Sequence, residues 1–330
     1  MNTRRIGPFE VAEIGLGCMN LSHAYAAPPP VEEGKRVIHR ALELGVTHFD
    51  TAALYGFGAN ETLVGEALHS HRDRIVLASK CGMSGVNGKR VIDGRPATIL
   101  RTCDEALERL RADVIDVYYL HRWDKQVPIE DSVGAMAQLV KAGKVRTLGL
   151  SEVSAATLRK AHAVHPISAI QSEYSLWSRN PEIALLTECE QLGVSFVAFS
   201  PLGRGFLAGG VTDPAALYGK DIRRGMPRFQ APHFDNNQKL LTGLRAIARD
   251  LGATSAQVAL AWLLHKKPYI VPIIGTTSIA HLEEDLGATN VKLAPAVVEK
   301  LDGLINQGTV SGARYPAETQ KEIDTEEFAS

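Results

Sequence analysis

Eight short apolar runs, each separated from the next by a stretch with helical periodicity, organise this chain. The runs are Ala12 to Leu16, Thr47 to Asp50, Ile75 to Lys80, Val114 to Leu120, Thr147 to Leu150, Ala169 to Ser172, Ser195 to Ser200 and Ile270 to Ile274. Between them, Ile99, Leu100, Cys103, Ala106, Leu107 and Leu110 share one helical face, and Val133, Met136, Leu139 and Val140 make another stripe that Gly143 ends. Asn180 and Pro181 read as the cap and first turn of a helix that stops before Gly193. A strand can return parallel to its predecessor only after a crossover, so this alternation specifies a parallel sheet, and eight units close into a (β/α)8 barrel. The predicted fold is an α/β TIM barrel with an N-terminal hairpin and long loops at the C-terminal face, one domain over residues 1–330.

Two stretches depart from plain units. The Gly82 to Arg95 loop has turn residues enough for a small excursion, and Gly203 to Asn236 is a long glycine- and arginine-rich connection before two helices. Loops of that length at a barrel mouth act as lids or ligand clamps. Pro28-Pro29-Pro30 stiffens the first loop.

A length of 330 residues suggests two domains by rule of thumb, but one α/β barrel holds roughly 250 residues and accepts insertions. With 36 Lys and Arg against 37 Asp and Glu, the chain has no field to gather nucleic acid or an anionic membrane, which favours small-molecule partners. Cys18, Cys81, Cys103 and Cys189 are too widely spaced for a disulfide framework or a zinc knuckle, so a reducing cytoplasm is expected. Arg4 and Arg5 precede no apolar run, and no segment approaches the roughly 18 apolar residues of a membrane span. His69-Ser70-His71 and His162-Ala163-Val164-His165 lack further ligands at metal spacing, so no metal is expected. Nothing in the sequence constrains oligomeric state.

The chemistry gathers at strand ends. Gly45-Val46-Thr47-His48-Phe49-Asp50-Thr51-Ala52-Ala53-Leu54-Tyr55-Gly56 closes a strand with an acid and places a tyrosine on the following loop. The next two strands end in Lys80 and His121. Parallel strands bring their carboxyl ends to one mouth, so an acid, a phenol, an ammonium and an imidazole are expected to converge there as a proton-delivery site. Lys80 follows apolar residues and needs a carboxylate partner, for which Asp50 is the candidate. A phenol with a reference pKa of about 10 is a poor acid at neutral pH unless a cation stabilises its anion, and Lys80 can supply that cation. His121 would orient a substrate carbonyl.

The glycine signals are weaker. Gly15-Leu16-Gly17-Cys18-Met19-Asn20 lacks the third glycine of a dinucleotide fingerprint and leads into the proline-rich loop. Gly203-Arg204-Gly205-Phe206-Leu207-Ala208 matches G-x-G-x-x-A after a strand, but no helix opens there, so it reads as a backbone cradle for a pyrophosphate with Arg204 nearby. Gly82 to Arg90 has the wrong spacing for a P-loop and reads as a turn.

Taken together these residues resemble the aldo-keto reductase superfamily from about Ile6 to Asn306, in the style of its thirteenth, bacterial and plant, family. The supporting stretches beyond the Gly45–Gly56 motif are Leu148 to Glu152, Gln171 to Ser175, Phe199 to Gly203, Gly275 to Thr277 and Leu282 to Asp285. The resemblance implies a barrel that binds NADP(H), with NAD(H) as the alternative, and no Rossmann domain. It assigns Tyr55 as general acid, Lys80 as the group lowering its pKa, Asp50 as the lysine's partner and His121 as carbonyl orienter. Ser151 and Gln171 would hold the nicotinamide carboxamide and Phe199 would stack on its ring; Glu152 stands where the family often has Asn. Gly17, Cys18, Met19, Ser200, Pro201, Leu202, Gly203, Arg204 and Gly205 would approach the cofactor. So would Gly275, Thr277, Ser278, His281, Glu284 and Asp285, the last in place of a usual Asn. Relatives often carry Lys or Arg after the Gly-Thr pair, and here Arg223, Arg224 and Arg228 on the long loop would supply charge instead. Leu54, Trp123, Phe206 and the Met226 to Phe229 loop would form an apolar substrate pocket.

The expected function is an NADPH-dependent reductase converting aldehydes or ketones to alcohols. A Schiff-base lyase using Lys80 as nucleophile, and a non-catalytic cofactor-sensing subunit, are the competing readings.

Overall fold

The computed structural model describes residues 2–328. Strands β1 (Thr3–Ile6) and β2 (Phe9–Ala12) form an antiparallel hairpin with Ile6 opposite Phe9. Ile6 and Val11 reach up from it into the barrel interior, where they pack with Val76, Ala78, Val117, Tyr119, Ala169, Val197, Val271 and Ile273. Arg4 fastens this plug by donating from Nη1 to the carbonyls of Lys267 and Ile270. The bottom of the barrel is thereby filled, leaving its other end for a site.

Barrel strands β3 (Gly15–Gly17), β4 (His48–Asp50) and β5 (Val76–Cys81) are linked by helices α1 (Val31–Glu43) and α2 (Ala59–Leu68). A hairpin of β6 (Met83–Val86) and β7 (Lys89–Ile92) then precedes α3 (Pro96–Leu110). Next come β8 (Ile115–Leu120), α4 (Ile129–Lys141), β9 (Val145–Ser151), α5 (Ala155–Val164), β10 (Ile167–Glu173), α6 (Leu185–Leu192) and β11 (Ser195–Phe199). Two helices, α7 (His233–Asp250) and α8 (Ser255–Lys266), separate β11 from β12 (Ile270–Ile274). The chain continues through α9 (Ile279–Leu286), α10 (Pro295–Leu304) and the short α11 (Ala317–Gln320). The eight parallel strands close in the order β3-β4-β5-β8-β9-β10-β11-β12, a (β/α)8 barrel. Strands such as β5 and β8 are buried at every residue because one face meets the interior and the other the helix ring.

The helical stripes behave as their spacing requires: Ile99, Cys103, Ala106 and Leu110 are buried on α3, and Val133, Met136 and Leu139 on α4. The Gly82 to Arg95 excursion is the β6–β7 hairpin, turned by Asn87 and Gly88, both with positive φ as a tight two-residue turn requires.

Two local expectations change. The run from Ala12 to Leu16 is divided, with Ala12 ending β2 and only Gly15–Gly17 joining the barrel. Asn180 and Pro181 open a separate 3-10 turn, and α6 starts at Leu185 after a break at Ala184. Asn180 is recruited instead by the C-terminal segment, donating from Nδ2 to the Glu326 carbonyl at 2.9 Å. Among the described residues no helix is long and apolar enough to cross a membrane.

Candidate active site

Asp50, the last residue of β4, and Lys80, near the end of β5, form a buried ion pair, and the Lys80 ammonium also donates to the Thr51 carbonyl at 2.8 Å. Gln171, near the end of β10, donates from Nε2 to the other Asp50 oxygen at 2.7 Å, so the carboxylate is held from two sides of the barrel. Burial alone would push the Lys80 ammonium down, but Asp50 and then Tyr55 outweigh it and leave lysine above its ordinary value, a stable cation.

Tyr55 is positioned by a sharp turn. Gly56, Phe57 and Gly58 all have positive φ, which reverses the chain behind Tyr55 before α2 begins. Asn60 anchors the turn, donating from Nδ2 to the Cys18 carbonyl and the Ser22 hydroxyl and accepting from the Thr51 hydroxyl. The Lys80 Nζ lies 4.9 Å from the Tyr55 ring centroid, and the His121 ring meets Tyr55 edge-on with centroids 5.6 Å apart. Burial pushes the phenol above its ordinary value, and Lys80 works against that rise. The lysine thus lowers the phenol's pKa as expected, but burial first, and Asp50 with it, outweigh that effect. Burial first, then Arg122 and Lys80, hold the His121 imidazole well below its ordinary range, so the ring is neutral at physiological pH; its Nδ1 is buried without a partner.

Above these groups opens a cavity of about 700 Å³ at the carboxyl ends of the strands. Its lining brings together most of the residues expected from the sequence: Asp50, Leu54, Tyr55, His121, Gly17, Met19, Ser151, Gln171 and Phe199. It continues along Ser200, Pro201, Leu202, Arg204 and Gly205 to Gly275, Thr277, His281, Glu284 and Asp285. Such an elongated mouth, with an aromatic ring at one strand end and a turn of three positive-φ residues, Gly203 to Gly205, at the next loop, suits a dinucleotide.

Apart from Arg224 and the Met226 to Phe229 loop, of which only Met226 lines the cavity, seven expected residues lie outside the lining. Lys80 is beneath Tyr55, where its proposed effect needs no exposure. Cys18 is fully buried behind its own backbone, whose N–H donates to the Asp50 carbonyl. Gly203 turns the loop without facing the cavity, its Cα set against Trp177. Ser278 caps α9, accepting from the His281 N–H at 3.3 Å. Glu152, at φ 56, pairs with Arg314 and accepts the Glu173 N–H at 2.9 Å, so its carboxylate is fully occupied. Phe206 stacks on Trp177 with centroids 4.2 Å apart and is core, and the Trp123 indole donates to the Val127 carbonyl.

The arginines of the long loop also divide. Arg223 lines the cavity but is paired with Asp221. Arg224 bonds the carbonyls of Ala215 and Leu217, and Arg228 bonds Trp177, Ser178 and Gly312, so both stabilise the loop itself. Arg204, expected beside a pyrophosphate, pairs with buried Glu173 and donates to the Tyr315 and Tyr25 hydroxyls.

Several lining residues were not anticipated: His23 and Tyr25 on the loop after β3, Arg90 on the β6–β7 hairpin, Arg122 after β8, and Tyr315, Pro316 and Thr319 from the C-terminal segment. Arg122 was findable, since it directly follows a histidine chosen for its place at a strand end. The C-terminal residues carried no signal because they lie beyond the last βα unit. That segment crosses the mouth as a strap, tied down by Arg314–Glu152, by Arg90–Glu322 and by Asp324, which accepts from Ser154 and Thr157 at the start of α5.

Comparison with known proteins agrees with this geometry. The family model described as Aldo/keto reductase family matches residues 13–306. A probable aldo-keto reductase 1 from Glycine max is 42% identical over 310 residues, covering 93% of this chain and 89% of that protein. Aldo-keto reductase yakc of Schizosaccharomyces pombe, whose name carries NADP(+), is 41% identical over 321 residues, covering 95% and 94%. Among solved structures, a glycerol dehydrogenase from Gluconobacter oxydans superimposes with a TM-score of 0.84 at 28% identity, covering 92% of this chain and 94% of that one. An aldo-keto reductase from Bacillus halodurans, in holo form, gives 0.77 at 26%, covering 93% and 97%. With a closed barrel, a strand-end site and matches spanning nearly its whole length, this chain belongs to the aldo/keto reductase family.

Proposed function

We propose that the protein is an NADP(H)-dependent reductase of aldehydes and ketones in which Tyr55 is the general acid. The observation that carries this reading is a cavity-lining phenol set directly over a buried lysine–aspartate pair and facing a neutral histidine. When bound, the nicotinamide supplies the hydride; the protein supplies the proton and the orientation. Tyr55 delivers its proton to the carbonyl oxygen as that oxygen gains charge, and Lys80 stabilises the phenolate left behind. His121, neutral, hydrogen-bonds the same oxygen and fixes its approach. Gln171 and Lys80 together hold Asp50, which keeps the ammonium charged and in place.

The cofactor lies, in this proposal, with its nicotinamide against Phe199 and near Ser151 and its adenosine end along Thr277, Glu284 and Asp285 of the β12–α9 region. NADP(H) is preferred over NAD(H) on the name of the Schizosaccharomyces pombe relative. The Schiff-base alternative is disfavoured because Lys80 is buried, ion-paired and kept protonated, whereas a nucleophilic amine must be neutral and open to the substrate. A cytoplasmic setting accords with four free, buried cysteines. The test is aldehyde-dependent oxidation of NADPH and NADH side by side, with Tyr55→Phe as the diagnostic variant. Turnover in the wild type that survives Tyr55→Phe unchanged defeats the mechanism, and no turnover with any carbonyl defeats the reductase reading itself.

A further inference from the structure

Four arginines line the cavity, and three of them have carboxylate partners: Arg90 with Glu322, Arg204 with Glu173 and Arg223 with Asp221. Arg122 has none among the described residues. Its Nη1 donates to the His121 carbonyl at 2.7 Å and to the Ser151 hydroxyl at 3.2 Å, which fixes the guanidinium beside the catalytic ring. Among the described residues the edge formed by Nε and Nη2 has no hydrogen-bond partner, both of the side chain's bonds coming from Nη1. An arginine held at one nitrogen, with its other edge unpartnered at the wall of a cavity, is preorganised to take a planar two-oxygen anion.

The position says whose anion it is. β8, which delivers His121 and Arg122, lies directly across the barrel from β12, and two strands separate it from β11. The proposed phosphate and adenosine contacts are on the loops after β11 and β12, so Arg122 is on the substrate's side of the mouth. Arg90 lines the same cavity, and after burial itself Arg122, Lys80 and Arg90 hold the His121 imidazole down. Leu54, Phe57, Met83 and Met226 supply apolar wall for the body of a ligand.

We propose that the physiological substrate is an aldehyde or ketone bearing a carboxylate, which the Nε–Nη2 edge of Arg122 binds while Tyr55 and His121 address the carbonyl. This rests on the reductase reading and narrows its substrate class. Binding is by charge-assisted hydrogen bonds alone, with no additional bond made or broken at the carboxylate.

The test compares size-matched pairs, 4-carboxybenzaldehyde with methyl 4-formylbenzoate and succinic semialdehyde with its methyl ester, in wild type, Arg122→Met and Arg122→Lys. In the wild type kcat/KM should favour the acid over the ester by about tenfold or more, the range expected of a charge-assisted contact. Arg122→Met should collapse that ratio through KM, and Arg122→Lys, which keeps the charge but not the fork, should fall between. Taking the ratio removes any loss common to both substrates from disturbing His121 or Ser151. An acid-to-ester ratio that Arg122→Met leaves unchanged overturns the inference. A larger Arg122-dependent ratio for glyceraldehyde 3-phosphate over glyceraldehyde overturns the carboxylate assignment in favour of phosphate. Equilibrium binding of terephthalate to the full chain separates the two levels of the argument. Binding to wild type about tenfold tighter than to Arg122→Met supports the anion site even without turnover, while equal binding overturns it.

Discussion

Asp285→Asn tests the proposed adenine end through a proton. Asp285 sits on α9 in the cavity lining and is 5% exposed, and burial first, then Glu284, push its carboxyl up to about 7. The sequence alone predicts a simple gain from Asn, because a carboxylate accepts hydrogen bonds and cannot donate to an adenine ring nitrogen. A raised pKa changes that expectation, since the protonated acid donates as an amide does. Taking the ionised form to cost about 1 kcal/mol of the contact makes it bind about fivefold more weakly. About a tenth of the side chains are ionised at pH 6 and about nine-tenths at pH 8. Weighting the two forms, wild type binds NADPH about 1.1-fold more weakly than a permanently neutral side chain at pH 6 and about fourfold more weakly at pH 8. Asp285→Asn should therefore be nearly silent at pH 6 and tighten NADPH about fourfold at pH 8, read by isothermal titration. The cofactor's own phosphate titrates in both proteins, so the ratio of dissociation constants cancels it. An equal gain at both pH values, or looser binding by the Asn variant at pH 8, refutes the argument. Stability should follow the same proton. The folded-state pKa lies above the ordinary aspartate value, so the favourable contribution is complete below about pH 4 and is lost as pH rises through about 7. Wild type should lose more Tm than Asp285→Asn between pH 6 and pH 8.

Tyr55→Phe should lower kcat by about 10²-fold or more while leaving the NADPH dissociation constant within about twofold, since general acid catalysis contributes roughly 10²–10⁴-fold; stopped-flow and fluorescence titration read the two separately. Because His121 is held well below its ordinary range, the pH profile of kcat/KM should show no inflection near pH 6.5, and one that disappears in His121→Asn would contradict the assignment of a neutral ring. Phe199→Ala should weaken NADPH binding by about 1 kcal/mol through lost ring stacking, and unchanged affinity would remove it from the site. Arg314→Met leaves the buried Glu152 carboxylate without its cation and should cost about 3 kcal/mol, with part recovered by adding Glu152→Gln; denaturant unfolding that shows additive losses would mean the two do not act as a pair.

The barrel was legible because its signals are local. Alternating strand and helix patterns, eight times over, leave few ways to bury two-sided strands, and the acid, lysine and histidine at their ends must then share a mouth. That is why Asp50, Tyr55, Lys80 and His121 were found in sequence and meet in space. What a side chain does once it arrives was not legible, because it depends on competitors far along the chain. Glu152 reads as a cofactor contact until Arg314, 162 residues away, takes its carboxylate. Phe206 reads as pocket wall until Trp177 covers its face, and Arg204 reads as a phosphate ligand until Glu173 claims it. The same logic singles out Arg122, whose proposed role follows from the lack of a carboxylate partner among the described residues. Sequence by itself determined the scaffold and the order in which the acid, phenol, lysine and histidine reach the strand ends, since periodicity and strand ends are written in neighbouring residues. The tertiary structure decided which charges are neutralised and which stay available, since a buried charge takes whatever counter-charge folding delivers, and only the folded chain delivers it.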